Sequence, residues 1–327
     1  MDFGVLSTAN IGVECVIPAI ESTEHEVTAI ASRSTDRAEA VASDLGIGSV
    51  YGSYEDLITS SGVDAVYNPL PNSLHAEWTR TALEEGLHVI CEKPLTPAPD
   101  EALALHETAD SAGTLMEGLM YAYHPRTERV FELVENRLDD VRHVTARFSF
   151  HLDWDEDIRL DPELDGGSMM DVGYYPIDFA REIFGRPDRV SGRLRDSRDS
   201  GTDTSMNAIL EYDSGTTAQV SSSFDTARSQ FYRVEAANGW IAVTDAFDTP
   251  QDVDPAIVGE IDGESIVETF DPVDQYRLEV EHFATCVTEN QTPRTDALRA
   301  ASNMAIVDSI RKSDARGTPV EVRSHTK

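Results

Sequence analysis

The chain has 327 residues, 60 of them acidic and 26 basic, with a formal net charge of −34 and 40% hydrophobic content. That is long enough for two domains whose core needs no disulfide or metal, and too apolar for a disordered chain. The absence of any basic patch or stripe argues against a nucleic-acid partner. The acidic residues are spread evenly and there are only three lysines, Lys93, Lys312 and Lys327, a balance suited to molar salt, where self-repulsion is screened. Cys15, Cys91 and Cys286 form no paired framework. The N-terminus has no basic or apolar leader, and no apolar run reaches the length of a membrane span. The expectation is a soluble cytoplasmic protein.

In chain order, Phe3–Leu6 reads as a short buried strand, followed by a turn of small residues, Ser7 to Gly12, and a helix that Pro18 should kink or shorten. Such a turn is where a dinucleotide's pyrophosphate would meet helix N–H groups, although its glycine fingerprint is reduced to Ser7, Ala9 and Gly12. The second strand, Glu26–Ala31, is followed by Ser32, Arg33 and Ser34, with Arg37 one turn on. Two hydroxyls and a guanidinium replace the carboxylate that would hold a ribose 2′-OH, and they suit a 2′-phosphate instead. Helices over 35–45 and 54–60, a strand over 64–67, a helix over 73–85 and a strand over 87–91 continue the alternation. A helix over 100–112 and a strand over 114–117 complete it. Short apolar strands alternating with helices predict a parallel sheet covered on both faces. Asn68, Asn72, His75, Lys93 and Glu117 fall at or just past the carboxyl ends of these strands, where ligands of such sheets sit.

Lys93 is the one lysine in the body of a chain that otherwise uses arginine. A lysine can shift its pKa and act as a compact titratable charge. It stands either as a catalytic group or as a residue that ends a strand.

After a helix ending near Leu138 the pattern changes to strands: 141–151, 189–194, 205–212, 216–223, 231–236, 240–244, 256–261 and 264–268. The turns Asp213-Ser214-Gly215 and Ala237-Asn238-Gly239 make neighbouring strands antiparallel. Helices over 275–288 and 295–313 close the chain. The second half is thus a broad, mostly antiparallel sheet with helices on one face, and self-association is an economical way to cover the other. Asp153, Asp155, Asp157 and Asp161 start like a calcium loop but lack its glycine and closing glutamate, so no metal is expected. One helix carries unusual content, from Gly166-Gly167 through Asp171, Gly173 and Tyr175 to Phe184. Asp171 and Tyr175 share a face, and the glycines admit something close. The same residues also suit a helix that is merely docked on the sheet.

Together these features resemble the Gfo/Idh/MocA oxidoreductases, the family of glucose-fructose oxidoreductase and inositol dehydrogenase. The likeness rests on Glu92-Lys93-Pro94 and on the Gly166–Tyr175 segment. Residues 116–125 and Asp157-Ile158-Arg159 look like the subgroup holding NADP-dependent D-xylose 1-dehydrogenases and dimeric dihydrodiol dehydrogenases.

The resemblance implies an N-terminal Rossmann-like α/β domain over 1–122 that binds NADP. It implies a C-terminal α+β domain over 123–327 with a large open-faced sheet, which binds substrate and forms a homodimer or homotetramer. Lys93, Asp171 and Tyr175 become the expected catalytic residues, and the Lys93–Pro94 bond is expected to be cis. Cofactor contacts are expected from Ser7, Thr8, Ala9, Asn10, Ile11, Ser32, Arg33, Ser34, Arg37, Asn68, Leu70, Asn72, His75, Glu92 and Lys93. Substrate contacts are expected from Lys93, Glu117, Tyr123, His124, Arg159, Asp171 and Tyr175. The expected reaction is oxidation of an aldose at C1 to the 1,5-lactone, D-xylose preferred. Another polyol, a keto sugar or a trans-dihydrodiol is the alternative, and a non-catalytic NADP-bound sensor is the rival of another class. Composition and resemblance together point to a halophilic archaeon.

Overall fold

The structure, a computed structural model, describes residues 1–60 and 62–323; Ser61 and the last four residues, Lys327 among them, lie outside the described residues. Contacts divide the chain into two units. The first runs from Met1 to Met120 and takes in Asp274–Ala301; the second holds Tyr121–Val273 and the chain from Ser302 on. The expected single boundary at 122/123 therefore differs from the observed division, because a late segment returns to the first unit.

The first unit opens with β1 (Asp2–Leu6), a π-helical segment (Gly12–Val16) and α1 (Ile17–Glu21). It continues with β2 (Glu26–Ala31), α2 (Thr35–Leu45), β3 (Ser49–Tyr51), α3 (Tyr54–Ser60), β4 (Ala65–Asn68), α4 (Asn72–Glu84), β5 (His88–Glu92), α5 (Pro99–Ala112) and β6 (Leu115–Gly118). The strands form one parallel sheet in the order β3-β2-β1-β4-β5-β6. That order reverses between β1 and β4, the place where open α/β sheets leave a crevice beyond their strand ends. β4 is buried along its whole length, as a strand covered on both faces must be. The three-residue β3 was not anticipated, since Ser49-Val50-Tyr51 is too short to show a period. Pro18 falls in the first turn of α1, just after the π-helical segment that leads into it.

The second unit begins with a 3₁₀ turn that ends at Tyr123, then α6 (Pro125–Asn136) and β7 (Val141–His151). A second π-helical segment (Met169–Gly173) leads into α7 (Tyr174–Phe184). β8 (Arg189–Arg195), β9 (Ser205–Glu211), β10 (Thr217–Ser223), β11 (Asp225–Ala236), β12 (Gly239–Thr244), β13 (Ala256–Ile261) and β14 (Glu264–Thr269) follow. The chain closes with α8 (Gln275–Glu289), α9 (Ala297–Arg316) and β15 (Val320–Glu321). α8 belongs to the first unit, where Phe283 packs its ring 6.1 Å from that of Phe3.

Among the described residues nine strands make one mixed sheet, β14-β13-β12-β11-β7-β10-β9-β8-β15, in which only β10 and β7 run parallel. Burial alternates residue by residue along β9, β10 and β13. One face is packed and the other is open, with Ile209, Val258 and Val267 exposed on it. Among the described residues no helix is long and apolar enough to cross a membrane.

Candidate active site

In the first unit, β1 delivers the chain into a turn whose first residue, Ser7, has φ 125°, a conformation that glycine adopts freely and serine does not. The Ser7 Oγ accepts a hydrogen bond from the Ala9 N–H at 3.2 Å. The π-helical segment then starts at Gly12, and π turns are rare and concentrated at functional sites. Thr8, Ala9 and Ile11 are half-buried and Asn10 is exposed.

At the end of β2, Ser32 is buried and its Oγ accepts from the Ser34 N–H at 3.2 Å. Arg33 and Arg37 are both exposed, and among the described residues neither guanidinium has a hydrogen-bond or ion-pair partner. Two uncommitted guanidiniums beside a strand end, in a chain this acidic, fit a phosphate group.

The loop after β4 is held by its own side chains. Asn68 is fully buried; its Nδ2 donates to the His75 carbonyl (3.3 Å) and to Thr79 Oγ1 (3.1 Å), and its Oδ1 accepts from Leu70 N–H. His75 places Nδ1 2.8 Å from the Pro94 carbonyl and Nε2 2.6 Å from that of Leu70. Burial brings its pKa down to about 4, against the pull of both carbonyls. Asn68 and His75 thus bond the protein's own backbone and, at Asn68, the Thr79 hydroxyl. Leu70 is buried and Asn72 half-buried in the same loop.

β5 ends at Glu92, whose carboxylate accepts from the Tyr67 hydroxyl at 2.9 Å. Burial first, and then Glu92, holds the Tyr67 phenol well above its ordinary pKa. Lys93 follows, half-buried, and the Lys93–Pro94 bond is cis. Glu117 on β6 is fully buried and accepts from the Leu95 N–H at 2.8 Å. Among the described residues no group of His, Cys, Asp and Glu could hold a metal ion.

In the second unit, Asp171 lies in the π turn and Tyr175 in the first turn of α7, so the single α-helix expected over 166–184 has a π start. The two glycines ahead of it answer to the protein's own atoms. A Cβ on Gly166 would sit 2.5 Å from the Arg159 carbonyl oxygen; one on Gly167, at φ +115°, would sit 2.5 Å from Asp203 Oδ1. Those neighbours hold the segment in turn. Gly167 N–H donates to the Arg159 carbonyl at 2.8 Å, and Asp203 accepts from the Met169 N–H (2.8 Å) and the Ser168 hydroxyl (2.7 Å).

The same clamp places Arg159. Its Nε donates to Asp171 Oδ2 at 2.9 Å, and its Nη1 lies 3.3 Å from Asp157 Oδ1. Asp171 is the main reason the Arg159 pKa is raised. The Asp171 carboxylate therefore has one oxygen held in a fixed direction.

Tyr175, 5% exposed, sits in an aromatic nest: Tyr121 lies edge-on with ring centroids 6.0 Å apart, Phe148 at 5.5 Å and Phe247 at 5.6 Å. Two residues that sequence reading passed over fix this nest. Asp178, fully buried on α7, accepts from the Tyr121 hydroxyl and from Asn303 Nδ2, the latter at 2.8 Å. Arg126, 1% exposed, donates to the carbonyls of Thr244, Asp245 and Ala246 and to Thr249 Oγ1, and so pins the turn that carries Phe247. The available signal for Asp178 was its place one helical turn after Tyr175, on an apolar face where a carboxylate needs partners. For Arg126, only the fold reveals the carbonyls it meets.

Tyr123 is buried, as is His124, whose Nδ1 accepts from the Arg126 N–H at 3.0 Å and caps α6. That bond leaves the proton of the neutral ring on Nε2. Burial, reinforced by Arg126, lowers the His124 pKa to about 4.

Comparison with known proteins agrees with this layout. The oxidoreductase family with an NAD-binding Rossmann fold matches residues 1–119, and the GFO/IDH/MocA C-terminal domain matches residues 127–242. The chain is 51% identical over 328 residues to D-xylose 1-dehydrogenase (NADP(+)) 2 of Haloferax volcanii, covering 98% of this chain and 100% of that protein. It is similar in structure to a 3-ketoreductase of Actinomadura kijaniata crystallised with NADP and TDP-benzene, with TM-score 0.90 and 31% identity over 96% of this chain and 97% of that one. An aldose-aldose oxidoreductase of Caulobacter crescentus shares the fold, with TM-score 0.90 at 24% identity over 98% of this chain and 99% of that one. The chain belongs to the Gfo/Idh/MocA oxidoreductases.

Proposed function

We propose that this member of the Gfo/Idh/MocA family is an NADP-dependent aldose 1-dehydrogenase that prefers D-xylose and releases the 1,5-lactone. The observation that carries the substrate is the 51% identity, end to end, with the D-xylose 1-dehydrogenase of Haloferax volcanii. NADP supplies the hydride acceptor. Arg33 and Arg37, exposed and uncommitted, suit the 2′-phosphate together with Ser32 and Ser34. The turn from Ser7 to Ile11 offers N–H groups to the pyrophosphate. Asn68, Leu70, Asn72, His75 and Glu92 shape the wall beside it.

In this reading Tyr175 takes the hydroxyl proton as hydride leaves the same carbon. A free phenol is a poor base at neutral pH, with a pKa near 10. A cationic group favours the phenolate form of such a base, and Lys93 is proposed as the catalytic ammonium. Asp171 orients the sugar hydroxyls, with Arg159 holding its carboxylate in place, and Tyr123 and His124 contribute to the pocket. Cofactor binding is assigned to residues 1–122, and substrate binding and self-association to 123–327. The open face of the nine-stranded sheet, with Ile209, Val258 and Val267 exposed, supports a homodimer or homotetramer. The protein is assigned to the cytoplasm of a halophile.

The likeness to a 3-ketoreductase favours one second reading, the reverse chemistry on a keto sugar. A panel of pentoses, hexoses, inositol and dihydrodiols with NADP⁺, alongside keto sugars with NADPH, all at molar salt, separates the two. D-xylose is expected to give the highest kcat/KM, and no turnover of any aldose would sink the first reading.

A further inference from the structure

The peptide that joins Pro94 to Leu95 has a buried side chain at each of its polar atoms. Its carbonyl oxygen lies 2.8 Å from Nδ1 of His75, on α4, and its N–H donates to Glu117 Oε1, on β6, also at 2.8 Å. This N–H lies past the end of β5, so no neighbouring strand can take it, and a buried N–H needs an acceptor. Leu95 and Glu117 are both 0% exposed.

Glu117 is itself fixed. Its N–H donates to the Thr295 carbonyl at 2.8 Å and its carbonyl accepts from Thr295 Oγ1 at 2.7 Å. β5 and β6 are paired in parallel register, Cys91 with Glu117 and Glu92 with Gly118. The carboxylate is thus anchored beside the strand end that leads to Lys93, and its Oε1 faces main chain.

We propose that Glu117 is a positioning residue: through its bond to the Leu95 N–H it fixes the turn that carries Lys93, and so sets where the ammonium stands. The inference rests on the catalytic reading of Lys93. It adds to the substrate contact that sequence position suggested for Glu117 a second role, carried by the Oε1 that is bonded to main chain.

The test compares Glu117→Gln with Glu117→Asp in the full chain at molar salt. Glutamine keeps the reach and an acceptor oxygen and drops the charge; aspartate keeps the charge and falls one methylene short. Glu117→Gln is expected to keep most of kcat. Glu117→Asp is expected to lose about 10–100-fold, the scale of an ångström's misplacement at a reacting centre, with KM for the sugar and NADPH binding near wild type. The limb of its kcat/KM profile that reports the catalytic groups should also shift, since the Lys93 ammonium has moved.

A merely structural Glu117 would lower thermal stability and leave that limb in place. Equal losses in the two variants, the reverse order, or wild-type kcat in Glu117→Asp would each overturn the proposal. Should Glu117→Asp not fold, Glu117→Met, with similar reach and no oxygen acceptor, takes its part with the same expectations. Lys93→Met, measured alongside, tests the underlying reading by itself: turnover at the wild-type rate there removes Lys93 from catalysis whatever the Glu117 variants do.

Discussion

Two turns in this molecule lead into π-helical starts, and they treat glycine in opposite ways. At Ser7 a serine occupies φ 125°, while at Gly167 a glycine occupies φ +115°. The backbone demand is similar, yet only one position has kept the residue that meets it. The difference is space. A Cβ on Gly167 would lie 2.5 Å from an Asp203 oxygen and 2.7 Å from the Thr202 hydroxyl, and one on Gly166 would lie 2.5 Å from a backbone carbonyl. An unfavourable φ costs on the order of 1–3 kcal/mol and can be borne. Added to a steric clash in a packed clamp, it cannot. In the proposed function the first turn presents N–H groups, which serine does as well as glycine. The second has to hold Arg159, Asp171 and Tyr175 in one arrangement.

The strongest test of that contrast is chemical. Tyr175→Phe keeps the ring contacts with Tyr121, Phe148 and Phe247 and removes one hydroxyl. If the second region carries the proton acceptor, kcat falls by about 10²–10⁴ while NADPH still binds. A stopped-flow trace of NADPH formation at the wild-type rate would break the assignment.

Gly167→Ala comes next, with an expected loss of about 2–4 kcal/mol from combined φ strain and overpacking, read by denaturant unfolding at high salt. A loss under about 1 kcal/mol would mean that the clamp is softer than its distances imply.

The third test concerns His124. Its pKa is about 4 in the folded protein against 6.5 as a free side chain. The stability it contributes is therefore complete above 6.5 and is lost as pH falls through about 4. Asparagine can keep the cap on the Arg126 N–H without titrating. Between those two pH values the wild type should lose up to about 3 kcal/mol more than His124→Asn does. Parallel curves would show that another group sets the slope.

For the first region, Arg33→Ala should weaken NADP⁺ by about 1.5–3 kcal/mol, the range for a hydrogen bond to a charged group, with high salt favouring the lower end. NAD⁺ should be little affected, and equal losses for both cofactors would remove Arg33 from the 2′-phosphate. The smallest effect belongs to Ser7→Gly. Relief of the φ strain, partly offset by the chain entropy of glycine, should stabilise by at most about 1 kcal/mol. A clear destabilisation would show that the Ser7 hydroxyl, bonded to the Ala9 N–H, matters more than the backbone.

What the sequence determined by itself was everything that repeats or lies close along the chain. Short apolar strands alternating with helices specify a parallel sheet, because such strands must be covered on both faces. Turns such as Asp213-Ser214-Gly215 specify antiparallel neighbours, because so few residues can only reverse direction. Lys93, Arg33 and the Gly166–Tyr175 motif stood out because rare residue types or fixed spacings marked them.

The tertiary structure decided what depends on partners distant in sequence. Asn68 and His75 were placed at the strand ends where a cofactor would lie, but the partners that claim their polar atoms are visible only once the loops are folded. Arg126 meets the carbonyls of 244–246, more than a hundred residues on, and Asp178 meets Tyr121 and Asn303. The return of α8 to the first unit has the same origin. A buried polar atom must find a partner wherever the fold brings one, and that search leaves no period or spacing in the chain.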